Sequence, residues 1–316
     1  MRGPGLDKLS RLAGIVHEPW TDQQPLKLYD GTALAERLAA EKADIAIVEA
    51  DIVNGPVFEL PLVAVAATRG DPNNVDVAAA TAAGVPVLRA PGRNADAVAE
   101  LTLGLLIAVT RGILPADRDV RQTEVFRDGT IPYQRFRGWE LAGRRAAIIG
   151  YGAVGRALAW RLEALRMSVS TYDPYVAGAG RDMEAVVRDA DVVSLHTTVT
   201  PETVGFFGPE QFSWMRSGSV FLNTARAELH DLVALVRALS SGHLGGAGLD
   251  HFTGEMLPGG HPLLSMDNVV LTPHIGGATT DTEARGAQIV ADDLERLLAG
   301  EAPLNIVNPE VLLTRT

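Results

Sequence analysis

The chain has 316 residues and no cysteine, which excludes disulfides, cysteine nucleophiles and thiolate metal sites. Its 47% hydrophobic and 21% charged residues are typical of a globular protein with one large or two ordinary domains. The formal net charge of −11 disfavours nucleic acid and anionic membranes as partners, although a local basic pocket for a small anion is compatible with it. The N-terminus has no signal-peptide pattern and no apolar run approaches membrane-spanning length, so we expect a cytoplasmic protein without a membrane partner.

The first part of the chain predicts an α/β unit. Its first ten or so residues are rich in glycine and charge, and we expect them to be frayed. Helix and strand patterns then alternate, as in a parallel sheet, with helices at 34–41 and 75–83 and strands at 45–48, 62–66 and 85–88. From Asn94 or Asp96, either of which can cap a helix, a nearly all-apolar helix begins. We expect it to be buried, with a subunit interface as one candidate location.

The rest of the chain predicts a second α/β unit. A polar stretch, 121–143, leads into a strand that ends at Gly150, followed by a helix at 153–166 and a strand at 167–173. Polar loops follow four further predicted strands, at 191–195, 219–222, 246–249 and 268–271, and a last helix at 284–298 precedes an apolar tail. The carboxyl ends of parallel strands border the ligand crevice of a doubly wound sheet, so these loops contain most candidate site residues.

A glycine-rich turn opens this second unit. Gly150, Gly152 and Gly155 have the G-x-G-x-x-G spacing of a dinucleotide-binding turn, directly after a strand and before a helix. The first glycine permits the tight turn, the second lets backbone approach a pyrophosphate, and the third lets helix pack on sheet. Asp173 ends the next strand, where it can accept hydrogen bonds from the adenosine ribose and repel a 2′-phosphate, or simply stabilise a turn. The pattern therefore favours NAD over NADP.

Three loops after predicted strands contain an arginine, a carboxylate and a histidine, namely Arg226, Glu255 and His274. Hydride transfer to a 2-oxo acid requires this set: a guanidinium binds the carboxylate, a histidine protonates the carbonyl oxygen, and an acid raises the pKa of that histidine. Singly, each residue is more often a surface ion pair, a solvated acid or a turn histidine. Their placement at successive strand ends favours catalysis. No spacing among the histidines suggests a metal site, and we predict none.

The sequence resembles the NAD-dependent D-2-hydroxyacid dehydrogenases, which include phosphoglycerate, glyoxylate/hydroxypyruvate and D-lactate dehydrogenases. The resemblance runs from about residue 43 to 308 and is carried by the motifs at 150–155, 194–196, 200–203, 223–226, 248–250 and 271–277. It implies an α/β architecture in which a Rossmann-type doubly wound parallel sheet, 95–285, is inserted into a smaller flavodoxin-like α/β substrate domain, 1–94 plus 286–316. It also implies a homodimer that transfers a hydride between NAD(H) and a small D-2-hydroxy/2-oxo acid.

The resemblance also assigns roles to residues. Arg226 would bind and polarise the substrate, Glu255 and His274 would be the acid/base pair, and Asp250 would hold the nicotinamide amide. His196 matches a position beside the cofactor with a structural role. The residues expected to bind NAD are Gly150, Gly152, Ala153, Val154, Gly155, Asp173, Thr224, Ala225, Asp250, Gly276 and Gly277. The alternative function is an NAD(H)-sensing binding protein, because the family includes corepressors that keep the fold and these residues.

The chain departs from the family pattern on the substrate side. Glu49 stands where many members have an arginine that holds a substrate carboxylate or phosphate, and it would repel a phosphate. The usual glycine-rich substrate loop is replaced by 68–76, which includes Arg69 and Gly70. We hypothesise that Arg69 supplies the positive charge that Glu49 removes, the alternative being a surface pair with Asp71. Arg89 and Arg93, which precede the long helix, are assigned either to the expected interdomain cleft or to a solvated loop.

Overall fold

The computed structural model describes residues 1–314 and divides the chain into two compact units. Unit 1 consists of residues 1–93 together with the chain from 279 onward, and unit 2 consists of 94–278. Unit 2 ends at residue 278, before the predicted boundary at 285/286. The reason is that the last helix begins at Thr280 and belongs wholly to unit 1. Unit 2 is thus one continuous segment inserted into unit 1.

Unit 1 is built on a three-stranded parallel sheet in the order β1-β2-β3. Its strands are β1 (Ile45–Val48), β2 (Ala64–Ala67) and β3 (Val87–Leu88). Its helices are α1 (Pro4–Leu12), α2 (Gly31–Glu41), α3 (Val77–Ala82) and, at the far end of the chain, α11 (Thr280–Leu298). Asp30 and Asp76 start α2 and α3 by accepting hydrogen bonds from the backbone of their first turns, as good N-caps do. β2 is buried along its whole length, as expected of a central parallel strand.

The prediction of a frayed N-terminus is wrong, because these residues form α1 and α1 packs on α11. A Cβ added at Gly5 would collide with the backbone of Ala287 and Gln288, so this glycine lets the two helices approach closely. Leu9 is buried, and Lys8 donates to Asp292 across the same contact at 2.7 Å. The glycine and charge that suggested disorder serve helix packing instead.

Unit 2 is a six-stranded parallel sheet in the order β5-β4-β6-β7-β8-β9. Its strands are β4 (Arg145–Ile149), β5 (Ser168–Tyr172), β6 (Val192–Leu195), β7 (Ser219–Asn223), β8 (Leu244–Leu249) and β9 (Val269–Leu271). Its helices are α4 (Ala95–Arg111), α5 (Ile113–Arg121), α6 (Pro132–Arg135), α7 (Ala153–Ala164), α8 (Met183–Arg188), α9 (Pro209–Trp214) and α10 (Leu232–Ser240). β4 pairs with β5 on one side and β6 on the other, which makes a topological switch point beside β4. This arrangement confirms the predicted doubly wound, Rossmann-type sheet.

Helices cover both faces of this sheet. Ala146 and Ile148 of β4 pack in one core cluster with α4 and α7, whereas Ala147 and Ile149 pack in the other. Successive residues of a strand point to opposite faces, so the uninterrupted apolar sequence of β4 is what a doubly covered strand requires. Its carboxyl end is therefore the part of the strand that can reach a ligand.

Helix α4 is largely buried, as its apolar sequence predicts, with Leu105 and Leu106 in the core. In the described part of the chain, no single helix is long and apolar enough to cross a membrane. Together, the consecutive helices α4 and α5 have the length and apolar composition of a membrane-spanning segment, but they are bent by 66° relative to each other.

Candidate active site

The glycine-rich turn joins β4 to α7. Gly150 has a left-handed φ of 97°, and a Cβ there would lie 2.6 Å from the carbonyl carbon of His196, so only glycine fits. A Cβ at Gly155 would collide with the carbonyl oxygen of Gly150. At Gly152, by contrast, an added Cβ would meet no atom within 4 Å, so the space beside this residue is open. Gly152 caps α7 without a side-chain bond, and the partial positive charge of this helix end suits a pyrophosphate.

Asp173 follows β5 and lies next to this turn. Its carboxylate accepts hydrogen bonds from the backbone N–H of Tyr151 at 2.8 Å and of Tyr175 at 2.9 Å. The second bond is that of a turn-forming acid, and the first ties the carboxylate to the glycine-rich turn. Two carboxylate oxygens offer about four acceptor positions, so ribose hydroxyls can be accommodated beside these bonds. The residues of the turn and Asp173 therefore fit the adenosine half of NAD.

The loop after β7 is shaped by Asn223. The Oδ1 atom of this buried asparagine accepts from the backbone N–H of Ala225 at 3.0 Å, and its Nδ2 donates to the carbonyl of Arg226 at 2.7 Å. The hydroxyl of Thr224 bonds the hydroxyl of Thr102 in α4 at 2.7 Å, with both groups buried. The guanidinium of Arg226 remains exposed at the tip of the loop, where it can bind an anion.

Asp250, which follows β8, shapes the loop that bears the candidate acid/base histidine. It is fully buried, and its Oδ1 accepts from the Thr272 hydroxyl at 2.6 Å and the Ile275 backbone N–H at 2.9 Å. Its Oδ2 accepts from the backbone N–H of Gly276 at 2.8 Å, and its carbonyl accepts from that of His274 at 2.8 Å. The structure thus gives Asp250 a positioning role that the sequence did not suggest, and the nicotinamide contact stays a prediction.

Glu255 and His274 form a pair. The Nδ1 atom of His274 lies 2.9 Å from Oε1 of Glu255, and the side chains are 39% and 62% exposed. A carboxylate at Nδ1 fixes the ring orientation and leaves Nε2 for a substrate. Both residues have a left-handed φ, 61° for Glu255 and 56° for His274. Such conformations are strained for residues other than glycine and concentrate at functional sites.

His251 is a member of this group that sequence analysis missed. It is buried, only 6% exposed, and its ring centroid lies 3.7 Å from that of His274. Burial, together with the smaller effect of the positive charges of His274 and Arg226, lowers the pKa of His251 to about 3, while Glu255 opposes the shift. His251 is therefore neutral and within electrostatic reach of all three predicted catalytic residues. The only sequence signal was its position directly after Asp250 at a strand end.

Two other histidines, the partly buried His196 and the buried His230, have contacts that support the structure. Burial lowers the pKa of both His196 and His230 to about 4. Nε2 of His196 bonds the Ser194 hydroxyl at 2.8 Å, and Nδ1 of His230 bonds Nδ2 of Asn223 at 3.0 Å. The second ring nitrogen of each is buried and unpartnered among residues 1–314. Both rings are held neutral because burial disfavours the charged form.

The predicted substrate residues lie in unit 1. Glu49 and Arg69 follow β1 and β2, which are neighbouring strands, so both are at the carboxyl edge of that sheet. Glu49 is paired with Arg93 at 2.7 Å, and both side chains are mostly buried. Nε1 of Trp20 donates to the other oxygen of Glu49 at 3.3 Å. The solvated-loop interpretation of Arg93 is therefore wrong, and the negative charge of Glu49 is compensated within unit 1.

Comparison with known proteins identifies the family. The model of the family described as "D-isomer specific 2-hydroxyacid dehydrogenase, NAD binding domain" matches residues 103–276. The chain is 37% identical over 254 residues to the glyoxylate reductase of Thermofilum pendens, covering 77% of this chain and 74% of that protein. It is 36% identical over 244 residues to the D-3-phosphoglycerate dehydrogenase of Archaeoglobus fulgidus, covering 75% of this chain but 45% of that protein.

A solved structure agrees with these sequences. The D-isomer specific 2-hydroxyacid dehydrogenase of Lactobacillus delbrueckii ssp. bulgaricus, in its NAD complexed form, superposes with a TM-score of 0.80. It is 25% identical, and the match covers 96% of each chain. The chain belongs to the D-isomer specific 2-hydroxyacid dehydrogenase family.

Proposed function

We propose that the protein catalyses reversible hydride transfer between NAD(H) and a small D-2-hydroxy/2-oxo acid, with Arg226, Glu255 and His274 as its catalytic residues. Family membership makes it an NAD-dependent oxidoreductase and confirms that reaction class and cofactor; the sensor alternative is not favoured. One observation supports the residue assignment above all. It is the 2.9 Å bond between Glu255 and His274, formed by two loops that follow neighbouring strands.

In the proposed reduction, Arg226 binds the substrate carboxylate, a task for which a planar guanidinium with paired donors is suited. Protonated His274 donates from Nε2 to the carbonyl oxygen as negative charge develops there, and Glu255 stabilises the imidazolium through Nδ1. In the oxidation, neutral His274 takes the hydroxyl proton. The nicotinamide supplies or accepts the hydride. The residues proposed to hold the cofactor are Gly150, Gly152, Ala153, Val154, Gly155, Asp173, Thr224, Ala225, Asp250, Gly276 and Gly277.

We also propose that Arg69 and Gly70 contribute to substrate binding and that the substrate is not phosphorylated. The support is local to unit 1, where Arg69 lies on the same sheet edge as Glu49. The pair of Glu49 with Arg93 has no net charge, so it offers little attraction to a second anionic group. In Arg69→Ala, the KM for the acid should rise far more than the KM for NADH. An unchanged KM for the acid would remove Arg69 from the substrate site.

The test of the main proposal is an NADH-oxidation screen over glyoxylate, hydroxypyruvate, pyruvate and longer 2-oxo acids. At least one acid should be reduced, and His274→Ala should lower that activity by roughly 10²–10⁴-fold without weakening NADH binding. Binding of NADH by the wild-type protein without turnover of any acid would contradict the proposal.

We further propose that the protein is a homodimer that associates through unit 2. Several large apolar side chains of this unit are exposed, among them Phe126 at 77% and Tyr133 at 82%. Large exposed apolar side chains of this kind are available for contact with a second chain. Light scattering should give twice the chain mass, and Tyr133→Glu should shift the mass towards the monomer. The cytoplasmic location stays a prediction.

A further inference from the structure

We propose that His251, Glu255 and His274 form a binding site for a divalent transition-metal ion such as Zn²⁺, and that this ion blocks turnover by taking the acid/base histidine. The blocking effect rests on the function proposed above. The metal site rests on geometry alone, and so the two can fail separately.

The three side chains converge closely enough for one ion. One ligand atom from each residue can be chosen so that all three lie within 4.8 Å of one another. Zinc bonds to imidazole nitrogen and carboxylate oxygen are about 2.0–2.2 Å long, so a tetrahedral ion needs its ligands somewhat closer than this. His251 is buried, whereas the side chains of Glu255 and His274 are partly exposed and hold each other through the 2.9 Å contact between Oε1 and Nδ1. Binding of a zinc ion therefore requires this pair to shift towards His251.

The donor set is one that zinc prefers. Two imidazoles and one carboxylate form a three-ligand site with an open fourth position, as in zinc hydrolases. The carboxylate of Glu255 also offsets the repulsion that nearby Arg226 exerts on a cation. Glu255 and His274 alone offer only two ligands, and two exposed ligands bind a metal ion weakly. The third ligand, His251, is what would make the site specific.

The simpler alternative is that His251 only packs against the ring of His274. Substitution separates the two, because His251→Phe keeps an aromatic ring at 251 and removes both nitrogens. His251→Val provides a second variant should the larger ring disturb folding. His17→Gln is the matched control, since His17 is an exposed histidine of unit 1.

The test is direct metal binding to the chelator-treated full-length protein. Titration with Co²⁺ should give one ion per chain, with the visible absorption of a four- or five-coordinate site, and Zn²⁺ should displace it. Both His251 variants should bind at least tenfold more weakly, and His17→Gln should bind like the wild type. Undiminished binding in both His251 variants, or absence of binding in the wild type, overturns the site.

Turnover supplies the second readout. Zn²⁺ should lower NADH oxidation by the wild-type protein, a chelator should restore it, and His251→Phe should resist inhibition relative to its own metal-free rate. Metal binding that leaves turnover unchanged overturns the blocking effect but keeps the site. If the wild-type protein binds the metal but reduces no 2-oxo acid even after the metal has been removed, the site stands and the proposed function is contradicted.

Discussion

The carboxyl edges of the two sheets treat their charged residues differently. In unit 2, the buried side chains of Asn223 and Asp250 bond the backbone of the loops that follow, and those loops expose Arg226 and His274. In unit 1, Glu49 and Arg93 bond each other and are mostly buried. At the edge of unit 2, buried polar side chains therefore hold the loops that expose Arg226 and His274. At the edge of unit 1, the charges of Glu49 and Arg93 neutralise each other. The difference supports the proposals that Arg226 and His274 act in catalysis and that Glu49 disfavours a phosphorylated substrate.

The largest effect is expected from substitutions of His274 and Glu255 at the carboxyl edge of the unit 2 sheet. His274→Ala should lower kcat by roughly 10²–10⁴-fold, the usual contribution of a general acid or base, with little change in NADH affinity. Glu255→Gln should lower kcat less, because a neutral amide still orients the ring but no longer stabilises the imidazolium. A rise in KM with kcat unchanged would assign the pair to binding.

The next largest effect is expected at acidic pH, which should destabilise unit 2 more than unit 1. Buried His196 and His230, both in unit 2, have pKa values lowered to about 4, whereas an unfolded chain protonates histidine near pH 6.5. The unfolded state therefore binds more protons below pH 6.5, and the stability each histidine contributes is lost as the pH falls from 6.5 towards 4. The loss is about 3 kcal/mol per histidine at 1.36 kcal/mol per pKa unit.

Hydrogen exchange at pH 7 and pH 5 would measure this effect in each unit separately. Unit 2 should lose protection at pH 5 before unit 1 does. His196→Asn should flatten the pH dependence of unit 2, and equal losses in both units would contradict the explanation.

A smaller effect is expected from the residue that shapes the histidine loop. Asp250→Asn turns one acceptor oxygen into a donor, which leaves at least one buried backbone N–H without a partner. A lost buried bond of this kind costs about 1–3 kcal/mol. Because the affected loop bears His274, we expect kcat to fall even at temperatures well below the melting temperature of the variant, where the protein is still folded. Thermal unfolding measured beside kinetics decides this, and a purely thermal effect would show that Asp250 acts on stability alone.

The smallest effect concerns the cancelled charges of unit 1. Glu49→Gln leaves Arg93 uncompensated and should lower the KM for a phosphorylated 2-oxo acid several-fold, with little change for glyoxylate. The control is Glu59→Gln, an exposed carboxyl of the same unit. Equal KM values for the phosphorylated acid in both variants would show that Glu49 does not select against phosphate.

Local signals in the sequence predicted much of the fold and part of the site. The strand before Gly150 and the helix after it are specified by neighbouring residues, since apolar runs and glycine spacing act over a few positions. The helix α1 was missed because the purpose of Gly5 depends on a partner helix from the other end of the chain. Likewise, His251 lies against His274 in a place where Asp250, its neighbour in the chain, bonds the loop that bears His274, a contact between residues far apart in sequence.

The left-handed backbone at Glu255 and His274 has an evolutionary consequence. A residue with a Cβ costs about 1–2 kcal/mol in that conformation, a cost that glycine avoids. Selection for heat tolerance alone, blind to turnover, should therefore enrich glycine at 255 and 274 and yield a sturdier, inactive protein. The side chains present at these two positions oppose the preference of their own backbone, which agrees with the catalytic roles proposed for them.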